Sequence, residues 1–236
     1  MEGPGARIIA QRLMPIEGKV AILLLGKNSL NRRITDIKVQ GKRIYIGIED
    51  GYLMIFFGMA GTLLRRQDKR YEASLAIICE GEIYCFVRCS VKAITESDFK
   101  RIYDQRIDII SDGFEPEFVF NMIQKLDGKM KVCDLLLDQS VFSGSGNIIK
   151  NEVLFRTRIR PDRNLMDLSP EDVHNLIQNA RIFSLMFLDA LKAKIPVSKI
   201  TQIYRKSKCK VCGSTVSTGM MGDNPRLTFY CGVCQL

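Results

Sequence analysis

Four of the chain's eight cysteines fall near its end as Cys209-Lys-Val-Cys212 and Cys231-Gly-Val-Cys234, with eighteen residues between the pairs. Two cysteines spaced this way share one turn, and two such knuckles offer four thiolates to a tetrahedral zinc ion. Four thiolates leave no coordination position for water, so the expected zinc is structural rather than catalytic. Between the pairs lie the turn formers Gly213, Gly219 and Gly222-Asp223-Asn224-Pro225 and a strand-like Leu227-Thr-Phe-Tyr230. That pattern predicts a β-hairpin clipped at its base. A unit so small should owe its folding to the metal. Arg226 stands near the hairpin turn among Arg205, Lys206, Lys208 and Lys210. It is either a solvated charge or a phosphate contact.

Other residues could do chemistry in less specific ways. Gly144-Ser-Gly146-Asn147 runs directly into Ile148-Ile-Lys-Asn-Glu-Val-Leu-Phe155, which has helical spacing. Glycines let backbone amides approach a ligand, and a helix N-terminus favours an anion. No Gly-Lys-Ser/Thr follows, so this is not a P-loop. Lys42 follows Gly41 at the start of a strand pattern. At the amino terminus Glu2 is followed at once by Gly3-Pro4-Gly5. The single histidine, His174, argues against a Ser-His or Cys-His engine and is expected to be an ordinary surface or boundary residue without partners. Cys79, Cys85, Cys89 and Cys133 read as small core residues.

The elements that must hold these groups follow from composition and periodicity. At 236 residues, with 46% hydrophobic residues, the chain suits one large domain or two modest ones. Its net charge of +9 points to a polyanionic partner, nucleic acid before an acidic membrane surface. No apolar run reaches the roughly 18 residues of a membrane span, and no secretory segment is visible. A reducing compartment, cytoplasm or nucleus, is therefore expected. Ala6, Ile9, Ala10 and Leu13 form an apolar periodic segment. Residues 19 to about 92 read as strands, with hairpin turns at Asp50-Gly51 and Glu80-Gly81, and predict an antiparallel sandwich of about eight strands. From about Phe114 the pattern becomes helical. Pro116 suits a first helical position, and Ser169-Pro170-Glu171-Asp172 suits a helix start. The fold class is α+β: an N-terminal antiparallel β-sandwich, a helical part and a finger.

In order along nearly the whole chain, these segments resemble the Fpg/Nei family of DNA glycosylases, which includes formamidopyrimidine-DNA glycosylase and endonuclease VIII. Glu2-Gly3-Pro4 resembles its amino-terminal motif, Gly41-Lys42 its sheet lysine, and Gly58-Met59-Ala60-Gly61 its Gly-Met loop. Asp138-Gln139 with Gly146-Asn147-Ile148 and Glu152-Val-Leu-Phe155 resembles its helix–two-turns–helix. Arg226-Leu-Thr-Phe-Tyr-Cys231 resembles its finger hairpin. The resemblance implies a catalytic β-sandwich domain over 1–105, a linker over 106–115, a helix–two-turns–helix DNA-binding domain over 116–200 and a four-cysteine zinc finger over 201–236. It implies a monomer that binds damaged DNA, single-stranded or duplex, and no membrane. A damaged base would be flipped into a pocket between two domains. The amine of Met1 would expel it through a Schiff base, Glu2 would shuttle protons, and β- or β,δ-elimination would follow. Lys42 would assist at the phosphate or in proton transfer. Gln139, Asn147 and Arg226 would contact DNA, and Met59 would fill the void left by the base. The alternative is a protein that grips damaged or abasic DNA without cutting it.

The chain departs from the family in ways that refine the expectation. The usual terminal proline is absent, so a primary amine on a retained Met1 would replace a secondary one. An α-amine titrates at about 7.7–8.0 against about 10.4 for a lysine, so much of it is nucleophilic at neutral pH. Phe56 stands where the family has a histidine. Of the family's void-filling Arg and Phe, only Arg88 has a counterpart. A poorly filled void implies tolerance of single-stranded or bubble DNA. The short stretch from Lys194 to Lys208 leaves little room for an 8-oxoguanine-capping loop, which favours oxidised pyrimidines, hydantoins and formamidopyrimidines.

Overall fold

The computed structural model describes residues 1–58, 60–66, 68 and 70–236. Its contacts divide into two compact units, one of Met1 with Gly5–Asp104 and one of Glu2–Pro4 with Gln105–Leu236.

The chain opens with helix α1 (Gly3–Leu13), where the apolar periodicity placed it. Nine strands follow among the described residues: β1 (Val20–Leu25), β2 (Asn28–Arg33), β3 (Ile37–Gln40), β4 (Arg43–Ile48), β5 (Gly51–Phe56), β6 (Thr62–Leu64), β7 (Ala73–Cys79), β8 (Glu82–Val87) and β9 (Ser90–Ile94). They form two antiparallel sheets in the orders β2-β1-β7-β8-β6 and β3-β4-β5-β9. Ile9 and Leu13 of α1 pack with Leu23, Ile44, Ile55, Ile77 and Phe86 from both sheets in one core. On the other face of the four-stranded sheet, Tyr45 and Tyr52 pack against Phe99 of α2 (Glu96–Ile102). The alternation of Ile44, Ile46 and Ile48 in β4 puts them on one face, while Tyr45 on the other face is buried as well, so the strand is covered on both sides.

The two expected hairpins differ in register. Glu80 and Gly81 form the β7–β8 turn, with φ of 49° and 82°, as a tight primed turn requires. In the other, Ile48 pairs with Gly51, so the turn residues are Glu49 and Asp50, one position earlier than expected. Gly51 belongs to β5, with φ of 135°, and a Cβ there would collide with the Ile94 carbonyl of β9. The glycine marks a close approach between strands, which a turn rule misassigns.

The second unit contains α3 (Pro116–Ile123), α4 (Val132–Leu135), α5 (Asn147–Arg156), α6 (Pro170–Lys192) and α7 (Val197–Ile200), then β10 (Ser217–Met221) and β11 (Arg226–Tyr230). Ser169 caps α6, and Asp172 returns the bond to the Ser169 amide. Val119, Leu135, Phe142, Ile149, Leu176 and Phe183 are central to its core. Residues 106–115, expected as a linker, are packed instead: Ile107, Ile109, Ile110 and Phe114 belong to that core. His174 is not without partners. It stacks on Phe120 at 4.1 Å and lies 3.8 Å from the Glu117 carboxylate. Among the described residues, no helix is long and apolar enough to cross a membrane.

Candidate active site

In the first unit the Met1 amine donates a hydrogen bond to the Gly58 carbonyl. Gly58 has φ of 54°. Met1 is half-buried and packs on the sandwich core. Its side chain fits because residue 5 is glycine: a Cβ there would lie 2.9 Å from Met1 Cγ. Lys42 is half-buried in the Gly41-Lys42 turn between β3 and β4, not within a strand. Gly41, with φ of 54°, makes that turn possible. Arg88 also has positive φ, 53°, and its guanidinium lies 4.6 Å from the Tyr71 ring. Phe56 is exposed at the end of β5. Met59 lies outside the described residues.

In the second unit the Glu2 carboxylate caps α5. One oxygen accepts the Ile148 amide at 2.7 Å and the other the Ile149 amide at 3.2 Å. The positive end of the helix dipole adds to these bonds and favours the ionised carboxylate. The fit is close and needs glycines. A Cβ on Gly146 would lie 2.5 Å from the Glu2 carboxyl carbon, and one on Gly3 would lie 2.9 Å from the Gly144 Cα. The Gly3 amide bonds the Gly144 carbonyl at 2.9 Å. The anion seat expected at this glycine-flanked helix start thus exists, and the chain's own second residue occupies it.

Gln139 is a support of that seat rather than an outward contact. Its amide nitrogen donates to the Leu137 and Ser145 carbonyls at 2.8 and 2.9 Å, and its oxygen accepts the Gly144 amide at 3.3 Å. Asn147 donates to the Leu227 carbonyl of β11 at 2.9 Å, while its oxygen is buried without a hydrogen-bond partner. Arg226 is exposed at the first position of β11, opposite Met221.

The four finger sulfurs lie within 4.8 Å of one another. The Cys209–Cys234 and Cys212–Cys231 separations are 3.8 and 3.5 Å. These match the roughly 3.8 Å edge of a tetrahedron with metal–sulfur bonds of about 2.3 Å. The Val211 amide points at the Cys209 sulfur, 3.4 Å away. Ser214 holds the Cys212 thiol down to about 6, whereas Cys234, beside Cys212, is pushed up to about 12. Four thiols this close cannot all ionise unless a cation neutralises them, so the donor set fits a bound metal. The hairpin is not a core-less unit, contrary to expectation. Phe229 and Val216 pack with Ile203 and with Phe155 of α5.

Several functional supports carry no sequence signal. Lys150, Asn151 and Glu152 are fully buried in α5. Lys150 donates to the Thr228 hydroxyl at 2.7 Å, and the Asn151 oxygen accepts the Phe229 amide at 2.7 Å. Glu152 accepts the amides of Gln202, Ile203 and Tyr204 at 2.8–2.9 Å. Asp134 of α4 accepts the Asp223 amide at the hairpin turn at 3.1–3.2 Å. A polar residue mid-helix reads as a solvated face when its partners are 50 to 89 residues away.

Taken unit by unit, the fold defines a helix–two-turns–helix protein with an amino-terminal β-sandwich and a four-cysteine finger. The H2TH domain of formamidopyrimidine-DNA glycosylase matches residues 106–198. Endonuclease 8-like 3 of Mus musculus is 33% identical over 209 residues, 84% of this chain and 34% of that protein. The formamidopyrimidine-DNA glycosylase of Corynebacterium jeikeium is 26% identical over 242 residues, covering 86% of this chain and 82% of that protein. The crystal structure of the Lactococcus lactis enzyme bound non-covalently to DNA containing an AP site superposes with a TM-score of 0.83 over 100% of this chain and 99% of that one, at 19% identity. Residues 106–198 thus match the H2TH domain of the Fpg/Nei family, and the chain is similar to members of that family over most of its length. It spans about a third of the length of the Endonuclease 8-like 3 relatives it matches.

Proposed function

We propose that the chain is a base-excision DNA glycosylase with AP lyase activity, acting through the Met1 amine. The observation that carries this reading is the held terminus: the Met1 amine on the Gly58 carbonyl, followed directly by a Glu2 carboxylate fixed on two α5 amides. In the reaction the neutral amine attacks the deoxyribose C1′ and the base leaves with the bonding electrons and a proton. Glu2 takes a proton from the Met1 ammonium, which frees the amine, and passes it to the ring oxygen as the sugar opens, giving the C1′ Schiff base. Loss of a C2′ proton then expels the 3′ phosphate; a second elimination can expel the 5′ phosphate. Positioning alone makes Glu2 an effective proton carrier. Lys42 assists at the phosphate, and Asn147 and Arg226 contact phosphates beside the lesion. Met59 fills the vacated stack. The finger cysteines hold a structural zinc that fixes the hairpin bearing Arg226.

The substrates are oxidised pyrimidines, hydantoins and formamidopyrimidines in preference to 8-oxoguanine. Residues 197–204 support this, since α7 and the three amides on Glu152 leave no slack there for a capping loop. Single-stranded or bubble DNA is accepted, given the exposed Phe56 and the lone Arg88. The protein acts as a monomer in a reducing compartment, cytoplasm or nucleus.

Borohydride trapping on abasic DNA tests the reading. A covalent adduct is expected, lost on blocking the amino terminus and reduced by at least about a hundredfold in Glu2→Gln, within the range of general acid–base catalysis. Tight binding of the same DNA with no adduct would instead identify a non-cutting binder.

A further inference from the structure

Lys150 is buried to 0% exposure, one turn into a helix that also places Ile149, Val153 and Leu154 in the apolar core. A lysine so placed is costly unless something needs its charge or its bond. Its ammonium donates at 2.7 Å to the Thr228 hydroxyl, and that hydroxyl donates at 2.9 Å to the Arg226 carbonyl. On either side, Asn147 holds the Leu227 carbonyl and Asn151 holds the Phe229 amide. Three residues at i, i+3 and i+4 on α5 therefore grip successive residues of β11, and the middle grip ends on the backbone of Arg226.

We propose that Lys150 is a positioning residue for Arg226: through Thr228 its ammonium fixes the backbone from which Arg226 projects and adds buried positive charge near that side chain. This rests on the reading of Arg226 as a phosphate contact. The groups facing the ammonium are Cys133 and Asp134 of α4, Arg226 of β11, and Glu2. Burial, with the Arg226 charge, pushes Lys150 down to about 8, against the pull of Cys133, Asp134 and Glu2. A phosphate neutralising Arg226 removes part of the depression, so DNA binding near pH 8 takes up a proton at Lys150. At higher pH the neutral amine keeps only a weaker, uncharged bond to Thr228.

The test is equilibrium binding of the full chain to a duplex carrying a tetrahydrofuran abasic analogue, as a function of salt and pH. Arg226→Ala should weaken binding roughly tenfold and lower the salt slope by about one. Lys150→Met and Thr228→Val should each weaken binding several-fold, Thr228→Ser should restore it, and neither loss should add to that of Arg226→Ala. Proton uptake near pH 8 should be smaller in Lys150→Met than in the wild type, the Met1 amine contributing equally to both. Should that variant not fold, Thr228→Val with its serine rescue carries the same test. Losses that persist undiminished in the Arg226→Ala background, or wild-type binding by both variants, would overturn the proposal alone. Wild-type binding by Arg226→Ala would remove the phosphate reading of Arg226 as well, and is recognisable as a separate result.

Discussion

Gly5 and Lys150 show how single residues set the chemistry here. Gly5 makes room for a methionine side chain directly beside the terminal amine. In Gly5→Ala, Met1 must shift, so the trapping rate on abasic DNA should fall about tenfold or more while affinity for the uncleavable analogue stays unchanged, because reactive geometry is sensitive to displacements of about an ångström. Equal losses in rate and affinity would refute this. Lys150 makes a prediction about stability. Its folded value of about 8 lies below the unfolded 10.5, so the fold carries the full penalty of the buried charge below pH 8. That penalty is relieved as pH rises from 8 to 10.5. Relative to Lys150→Met, the wild type should gain on the order of 3 kcal/mol across that window, read from denaturant midpoints at each pH. Glu2 and Arg226 are candidates that the sequence offers by motif. Lys150 is not among them, because its partner Thr228 is 78 residues away and nothing local distinguishes a buried lysine from a solvated one.

At the scale of elements, α5 and the finger hairpin are mutual supports. The cysteine spacing revealed the four-thiol cluster, and the glycines before Asn147 revealed the helix start. The hairpin's dependence on the helices stayed hidden, because side chains of α4 and α5 provide it through backbone contacts that leave no pattern. Asp134 holds the turn, three α5 residues hold β11, and Phe155 shares its core. Metal removal should therefore loosen the cysteine base without melting the helices. With a strong chelator, one zinc per chain should be released, thermal stability should drop, and far-UV helical signal should persist at room temperature. Loss of helix together with zinc would show that the finger holds the unit rather than the reverse. The sandwich was legible as strands, but its hairpin register was not: Gly51 looks like a turn glycine and is a spacing residue between β5 and β9.

For the whole molecule, a net charge of +9 predicts binding that weakens steeply with salt on any DNA, damaged or not. Lesion preference must come from the site instead. Cleavage of one oxidised pyrimidine in single-stranded and duplex oligonucleotides should proceed at comparable rates, or faster in the single strand. A duplex preference of several orders of magnitude would show that the orphaned strand is gripped by residues other than the family's usual pair.

Glu152 bears on how this scaffold could grow. Its carboxylate ties down three successive amides just before the finger, and α7 occupies the residues before them. Extra chain inserted at 202–204 would strip a buried anion of its donors. The bend at Lys194, with φ of 56° and exposed neighbours Ile195 and Pro196, has no buried anion depending on it. Between 194 and 204 the exposed Lys194 bend is therefore the better place to graft a loop than the three residues tied to Glu152.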